Sequence, residues 1–301
     1  MLTLNGLQKE MVGKPVFVVP FLYHLNLPEE DGLGLERRLA WEKTYQNPPK
    51  SKAGDLAECK KVVVVAYPHT AMSDDLCPLE SDSRFRVEWR QKRIPQPFPH
   101  TTAVILPGSR LTRTDLQWLH RNGWVDFLKR HIQAGGVVLG ICGGYQMLGE
   151  TVSDPEGVEG LPGTEVGLGL FTEMHTTLSP PEQKVITPRR GTLSLSGTPV
   201  QGFELHCGIS ELPSLTVEGN SETGKVHPLL ACDDGTTDGM RIGNIRGTYM
   251  HGILASPKAR VELLVPPNDI SFQPLLDIND NSEDPLDRLA CLLYTSPSPR
   301  D

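Results

Sequence analysis

The run Gly135-Gly136-Val137-Val138-Leu139-Gly140-Ile141-Cys142-Gly143-Gly144-Tyr145-Gln146-Met147-Leu148-Gly149 decides how the chain of 301 residues is read. Val137 to Ile141 is short, apolar, rich in β-branched residues and bounded by glycine, which is the pattern of a buried strand. It runs straight into Gly140-Ile141-Cys142-Gly143-Gly144. This G-x-C-x-G spacing copies the G-x-S-x-G nucleophile elbow, with sulfur in place of oxygen. A strand that turns at once into a helix strains the backbone at the nucleophile, and only small neighbours let the two elements approach. The helix start then aims N–H groups at Cys142 and favours its thiolate. A free cysteine has a pKa of about 8.5, so a nucleophile at neutral pH needs such help.

Outward from the elbow, further strands end in chemically capable residues. Upstream, Thr102-Ala103-Val104-Ile105-Leu106 ends in Pro107-Gly108-Ser109-Arg110. A glycine after a strand can bring its N–H to a developing negative charge. Thr112 to Leu128 then carries Leu116, Leu119, Trp124, Phe127 and Leu128 at helical spacing, with Asp115 near the start. Lys60-Lys61-Val62-Val63-Val64-Val65-Ala66 reads as a strand of a parallel sheet covered on both faces. Downstream, Gly167-Leu168-Gly169-Leu170 reads as a short strand. Gly202-Phe203-Glu204-Leu205-His206-Cys207-Gly208 alternates, placing Glu204 and His206 on one face and Cys207 on the other. Ile242 to Ile253 forms a last strand that ends in His251.

Composition bounds the class of protein. Hydrophobic content of 38% and charged content of 22% fit an ordinary globular chain, and the net charge of −8 argues against a nucleic-acid surface. No apolar run has the length of a membrane span, and the N-terminus lacks a signal-peptide pattern. The six cysteines lie far apart without a C-x-x-C pair. Neither a disulfide framework nor a metal site is expected, and a cytoplasmic location is.

Gly140 to Gly149, with the flanks of His251 in Gly247-Thr248-Tyr249-Met250-His251-Gly252, resembles the cobyric acid synthases, glutamine amidotransferases that use a cysteine and a histidine. Leu106-Pro107-Gly108-Ser109 and Gly202-Phe203-Glu204-Leu205-His206 resemble further segments of that family. Pattern and resemblance together predict an α/β fold, a three-layer, largely parallel sheet of the class I glutamine amidotransferase, flavodoxin-like kind, over residues 60–265. The resemblance implies Cys142 as nucleophile and His251 as its partner, with Gly108 and Gly143 as the oxyanion hole. It implies Gln146, Ser109, Arg110, His206 and Glu204 as glutamine-binding candidates. Relatives orient the histidine with a glutamate two residues on; here Ile253 stands there, and Glu204 is the substitute considered. His69 and Met72 replace a family arginine and asparagine, and His69 reads as an ordinary loop histidine.

The resemblance also implies an organisation. Residues 1–38, with Leu27-Pro28-Glu29-Glu30-Asp31, resemble the end of an ATP-dependent synthetase domain, and 39–59 read as a linker. Residues 266–301 read as a remnant of a final helix followed by a non-native, disordered tail. No G-x-x-x-x-G-K-[ST] loop is present, because Pro15 follows Gly13-Lys14. No cofactor is therefore expected in this domain, with ATP and Mg belonging to a missing synthetase domain. The expected partners are glutamine, that synthetase domain or subunit, and through it a corrin whose carboxylates are amidated. A cobyrinate diamide synthase, a cell-wall-precursor amidating glutaminase and a catalytically silent regulatory relative are the alternatives.

Overall fold

Four consecutive valines with no solvent exposure, Val62 to Val65, end β1 (Lys60–Val65) and open a computed structural model that describes residues 39, 59–92, 101–211, 226–267 and 269. The expectations for 1–38, for most of the linker, and for the chain beyond Asp269, including the disordered tail, lie outside the described residues. After β1 come β2 (Thr70–Ala71), β3 (Phe85–Arg90), β4 (Thr101–Leu106), β5 (Gly108–Ser109) and β6 (Val137–Ile141). Next are β7 (Thr151–Asp154), β8 (Gly163–Val166) and β9 (His175–Thr177). Then follow β10 (Val185–Leu193), β11 (Pro199–His206), β12 (Ile209–Glu211), β13 (His227–Cys232), β14 (Thr237–Ile242), β15 (Ile245–Thr248) and β16 (Met250–His251).

The main sheet has ten strands in the order β16-β11-β10-β13-β14-β15-β6-β4-β1-β3. From β3 to β15 all neighbours are parallel. From β15 to β16 they are antiparallel, an extension that the sequence reading did not resolve. The α/β class holds, and the parallel half carries the elbow. Side-chain alternation divides the strands between two apolar layers. Val62, Val64, Ile105, Leu139 and Ile141 pack on one face with Leu76, Leu79 and Leu263. Val63, Val65, Val104, Leu106 and Val138 pack on the other with Leu116, Leu119, Trp124 and Phe127. Helices Pro257–Leu264 and Thr112–Arg121 thus cover opposite faces.

Three local readings are corrected. The helical pattern from Thr112 to Leu128 is two helices, Thr112–Arg121 and Trp124–Gln133, because Gly123 takes a left-handed φ of 70° between them. Gly167 to Leu170 is not a strand; β8 stops at Val166, and Gly167 and Leu168 donate to Glu150 O and Met147 O instead. The reading of Ile242 to His251 as one strand is also divided, since a turn follows β14 and β15 ends before β16 begins.

Strand order places the site. From β1 the chain goes to β3 on one side and then to β4 on the other, so the crevice at their carboxyl ends is a switch point where α/β sheets hold ligands. A two-stranded ladder, β2 against β5, ties the loops leaving β1 and β4 together, with Ala71 opposite Gly108.

Candidate functional site

The elbow is built by steric demand. Cys142 holds φ 52° and ψ −112°, a conformation that costs about 1–3 kcal/mol in a non-glycine residue. It joins β6 directly to the helix Gly143–Gln146, and its N–H donates to Thr248 O of β15 at 2.8 Å. The flanking glycines of the motif have a reason. A Cβ on Gly140 would lie 2.7 Å from Gly144 O, and one on Gly144 only 2.0 Å from Leu106 O. A Cβ on Gly143 would meet Ser109 N at 2.7 Å, so the elbow and the Gly108-Ser109 loop touch along their backbones. Cys142 is 8% exposed, within reach of solvent, and its Sγ donates to Leu205 O at 3.4 Å.

His251 approaches from the end of β16. Its ring is buried and stacks on Phe203 with centroids 5.3 Å apart, and the Gly108 position lies 3.7 Å from its Cε1, measured to an added Cβ. Nδ1 lies 2.6 Å from Asp75 Oδ2, while Asp75 Oδ1 accepts the Gly252 N–H at 2.9 Å. Nε2 is buried without a hydrogen bond among the described residues. Burial opposes the charged imidazole, yet the Asp75 carboxylate and the Cys142 sulfur outweigh it and raise its pKa to about 10. Asp75 and Cys142 are thus the groups that act on this imidazole.

The stretch that delivers His251 is braced from beneath. Asp238 accepts from Thr248 Oγ1, from Tyr249 N at 3.1 Å and from Met250 N at 3.3 Å. Burial raises its pKa against those bonds.

The other sequence candidates divide. Ser109 lies against the elbow, but its hydroxyl donates to Asp115 at 2.6 Å and accepts from Leu111 N. Arg110 is exposed at the same loop, with its N–H donating to His69 O. Gln146 is buried: its amide donates to Cys207 O at 2.9 Å, and its oxygen accepts from Thr112 at 3.4 Å. His206 stacks on Tyr249 at 3.8 Å and pairs its Nδ1 with Gly208 O at 3.0 Å. Glu204 is corrected as the substitute orienting acid. It stands opposite Met250 in the ladder while Phe203 stands opposite His251, which turns it to the other face. There it bonds Arg189 at 2.8 Å, and against its burial His206 and Arg189 lower its pKa. His69 is bound to Asp115 through both its backbone N–H and Nδ1, at 3.1 and 2.9 Å.

Asp75 is the residue that sequence reasoning missed. It stands in the 3-10 turn Ser73–Leu76, entered through Met72 at φ 52°. The available signal was an acidic pair following the first strand of a parallel sheet, at the carboxyl end where sites form.

Residues 61–259 match the family model described as the CobB/CobQ-like glutamine amidotransferase domain. Among solved structures, one described as a glutamine amidotransferase is similar at 16% identity and a TM-score of 0.44, covering 67% of this chain and 98% of that one. PurLQS from Thermotoga maritima is similar at 14% identity and a TM-score of 0.45, covering 72% and 97%. Another glutamine amidotransferase from Thermotoga maritima is similar at 12% identity and a TM-score of 0.40, covering 72% and 83%.

Proposed function

Because the chain belongs to the CobB/CobQ-like glutamine amidotransferase domain family, we propose that it hydrolyses the side-chain amide of glutamine through Cys142 and His251 and delivers ammonia to a synthetase partner. The observation that carries this is the strained, solvent-reachable Cys142 set against a buried imidazole whose pKa is raised to about 10. His251 takes the thiol proton, and the thiolate attacks the amide carbon to form a tetrahedral adduct. The N–H groups of Gly143 and of the Gly108 loop hold its oxyanion, each worth about 3 kcal/mol. The C–N bond then breaks as His251 returns the proton to the leaving ammonia, which leaves a γ-glutamyl thioester. A water deprotonated by His251 attacks the thioester, glutamate departs, and the thiolate is regenerated.

Within the family the reading is cobyric acid synthase, in which ammonia amidates corrin carboxylates activated by ATP. Its support is the resemblance of Leu27-Pro28-Glu29-Glu30-Asp31 and Leu106-Pro107-Gly108-Ser109. ATP and Mg enter at the synthetase partner. The described residues contain no group of three or more His, Cys, Asp or Glu able to hold a metal, and no phosphate loop is present in the sequence. No step in this chain is routed through either.

The test measures ammonia release from glutamine by wild type and Cys142→Ala, with and without an ATP-dependent synthetase partner and a corrin acid. Release by wild type alone, abolished in Cys142→Ala, is expected. A folded wild type that neither releases ammonia nor is labelled at Cys142 by a glutamine-like electrophile would refute the reading and favour a silent regulatory relative.

A further inference from the structure

We propose that Asp75 is the positioning residue of the Cys142–His251 pair, an orienting carboxylate supplied from the turn after β1; this inference rests on the glutaminase reading above. The place that related triads give to an acid, two residues after the histidine, holds Ile253. That side chain is 1% exposed within an apolar cluster, where no charge is tolerated. Asp75 reaches the imidazole instead from 176 residues upstream.

Both carboxylate oxygens are used at once. Oδ2 takes Nδ1 at 2.6 Å and Oδ1 takes the Gly252 N–H at 2.9 Å, so neither carboxylate nor ring can rotate without losing a bond. The turn carrying Asp75 is closed by its own N–H on Met72 O at 3.2 Å and pinned by fully buried Leu76 and Leu79. The ladder of Ala71 with Gly108 holds the same loop against the oxyanion side.

The chemistry follows from which nitrogen is occupied. A carboxylate accepting from Nδ1–H leaves the Nε2 lone pair for the Cys142 proton, and it then stabilises the imidazolium that forms. Asp75 touches no reacting atom. The other groups packed on the ring, Phe203 of β11 and Gly108 of β5, carry no charge, so Asp75 and Cys142 set its protonation.

Asp75→Asn gives a directional test. The Gly252 N–H can only donate, so it takes the amide oxygen and leaves the NH2 facing Nδ1. The ring is then protonated on Nε2, where it cannot accept from the thiol. In the full chain, kcat/KM for glutamine hydrolysis at neutral pH should fall about 10²–10⁴-fold, with electrophile labelling of Cys142 slowed in parallel. Asp75→Glu should recover activity to within about tenfold of wild type, because the charge is retained. Nitrogen-15 spectra of His251 should show an imidazolium in wild type and a neutral Nε2–H ring in Asp75→Asn. A folded Asp75→Asn with activity within about threefold of wild type and an unchanged imidazole spectrum would overturn the proposal. So would a wild-type ring that is neutral and protonated on Nε2. A wild type inactive on glutamine would sink the glutaminase reading alone, and the spectra would still decide the role of Asp75.

Discussion

Gly144→Ala should damage the site more than the fold. The added methyl would lie 2.0 Å from Leu106 O, 2.6 Å from Leu106 C and 2.8 Å from Pro107 O. Comfortable contact is about 3.5 Å, so the elbow and the end of β4 must part by more than about 1 Å. All three atoms are backbone, so no side chain can swing aside. Leu106 has no exposure and leads within two residues to Gly108, which faces His251, so the displacement falls between the Gly108 loop and Cys142. Overpacking of this kind costs about 1–3 kcal/mol. A 1 Å misplacement of reacting groups costs about 10²-fold in rate. Gly169→Ala is the control: at φ 61° and with no atom within 4 Å among the described residues, it pays only the left-handed backbone cost of about 1–2 kcal/mol. Urea denaturation and the rate of electrophile labelling at Cys142 should be measured on both. The expected outcome is comparable destabilisation with slow labelling in Gly144→Ala alone; labelling at the wild-type rate in that variant would refute the reasoning.

Arg246→Met should raise the melting temperature. Arg246 is 4% exposed, its Nη1 is buried without a partner among the described residues, and burial, against the pull of Glu262 and helped by Arg241, lowers its pKa to about 10. Removing an uncompensated buried polar group should gain about 1–3 kcal/mol, and a lower melting temperature would contradict this. His251 makes stability depend on pH. Its pKa is raised to about 10 in the folded chain from about 6.5 unfolded, so its contribution is complete below about pH 6.5 and lost as pH rises through about 10. The stability advantage of wild type over His251→Gln in urea should shrink across that window, and a constant gap would count against the Asp75–His251 pairing.

Cys142, its elbow and His251 were legible because each rests on short-range rules. A β-branched run bounded by glycine makes a strand whatever surrounds it, and small residues flanking a cysteine permit one kind of bend. The parallel strands β1, β4 and β6 were legible for the same reason, being continuous apolar runs. The antiparallel half was less so. β10 runs Val185-Ile186-Thr187-Pro188-Arg189-Arg190 without apolar–polar alternation, and its exposed face shows Ile186 and Pro188, so its pairing with β11 and β13 depends on partners far along the chain.

Glu204 and Asp75 mark the boundary. By itself the sequence determined that a cysteine sits at a strained strand–helix bend and that a histidine follows a strand more than a hundred residues later. It could not say which acid meets that histidine, because such a contact joins residues 176 apart and depends on strand order and register. One position along β11 sets Glu204 facing away and Phe203 facing the imidazole, since side chains alternate with period two. Only the tertiary structure, by bringing the turn after β1 beside the end of β16, decided in favour of Asp75.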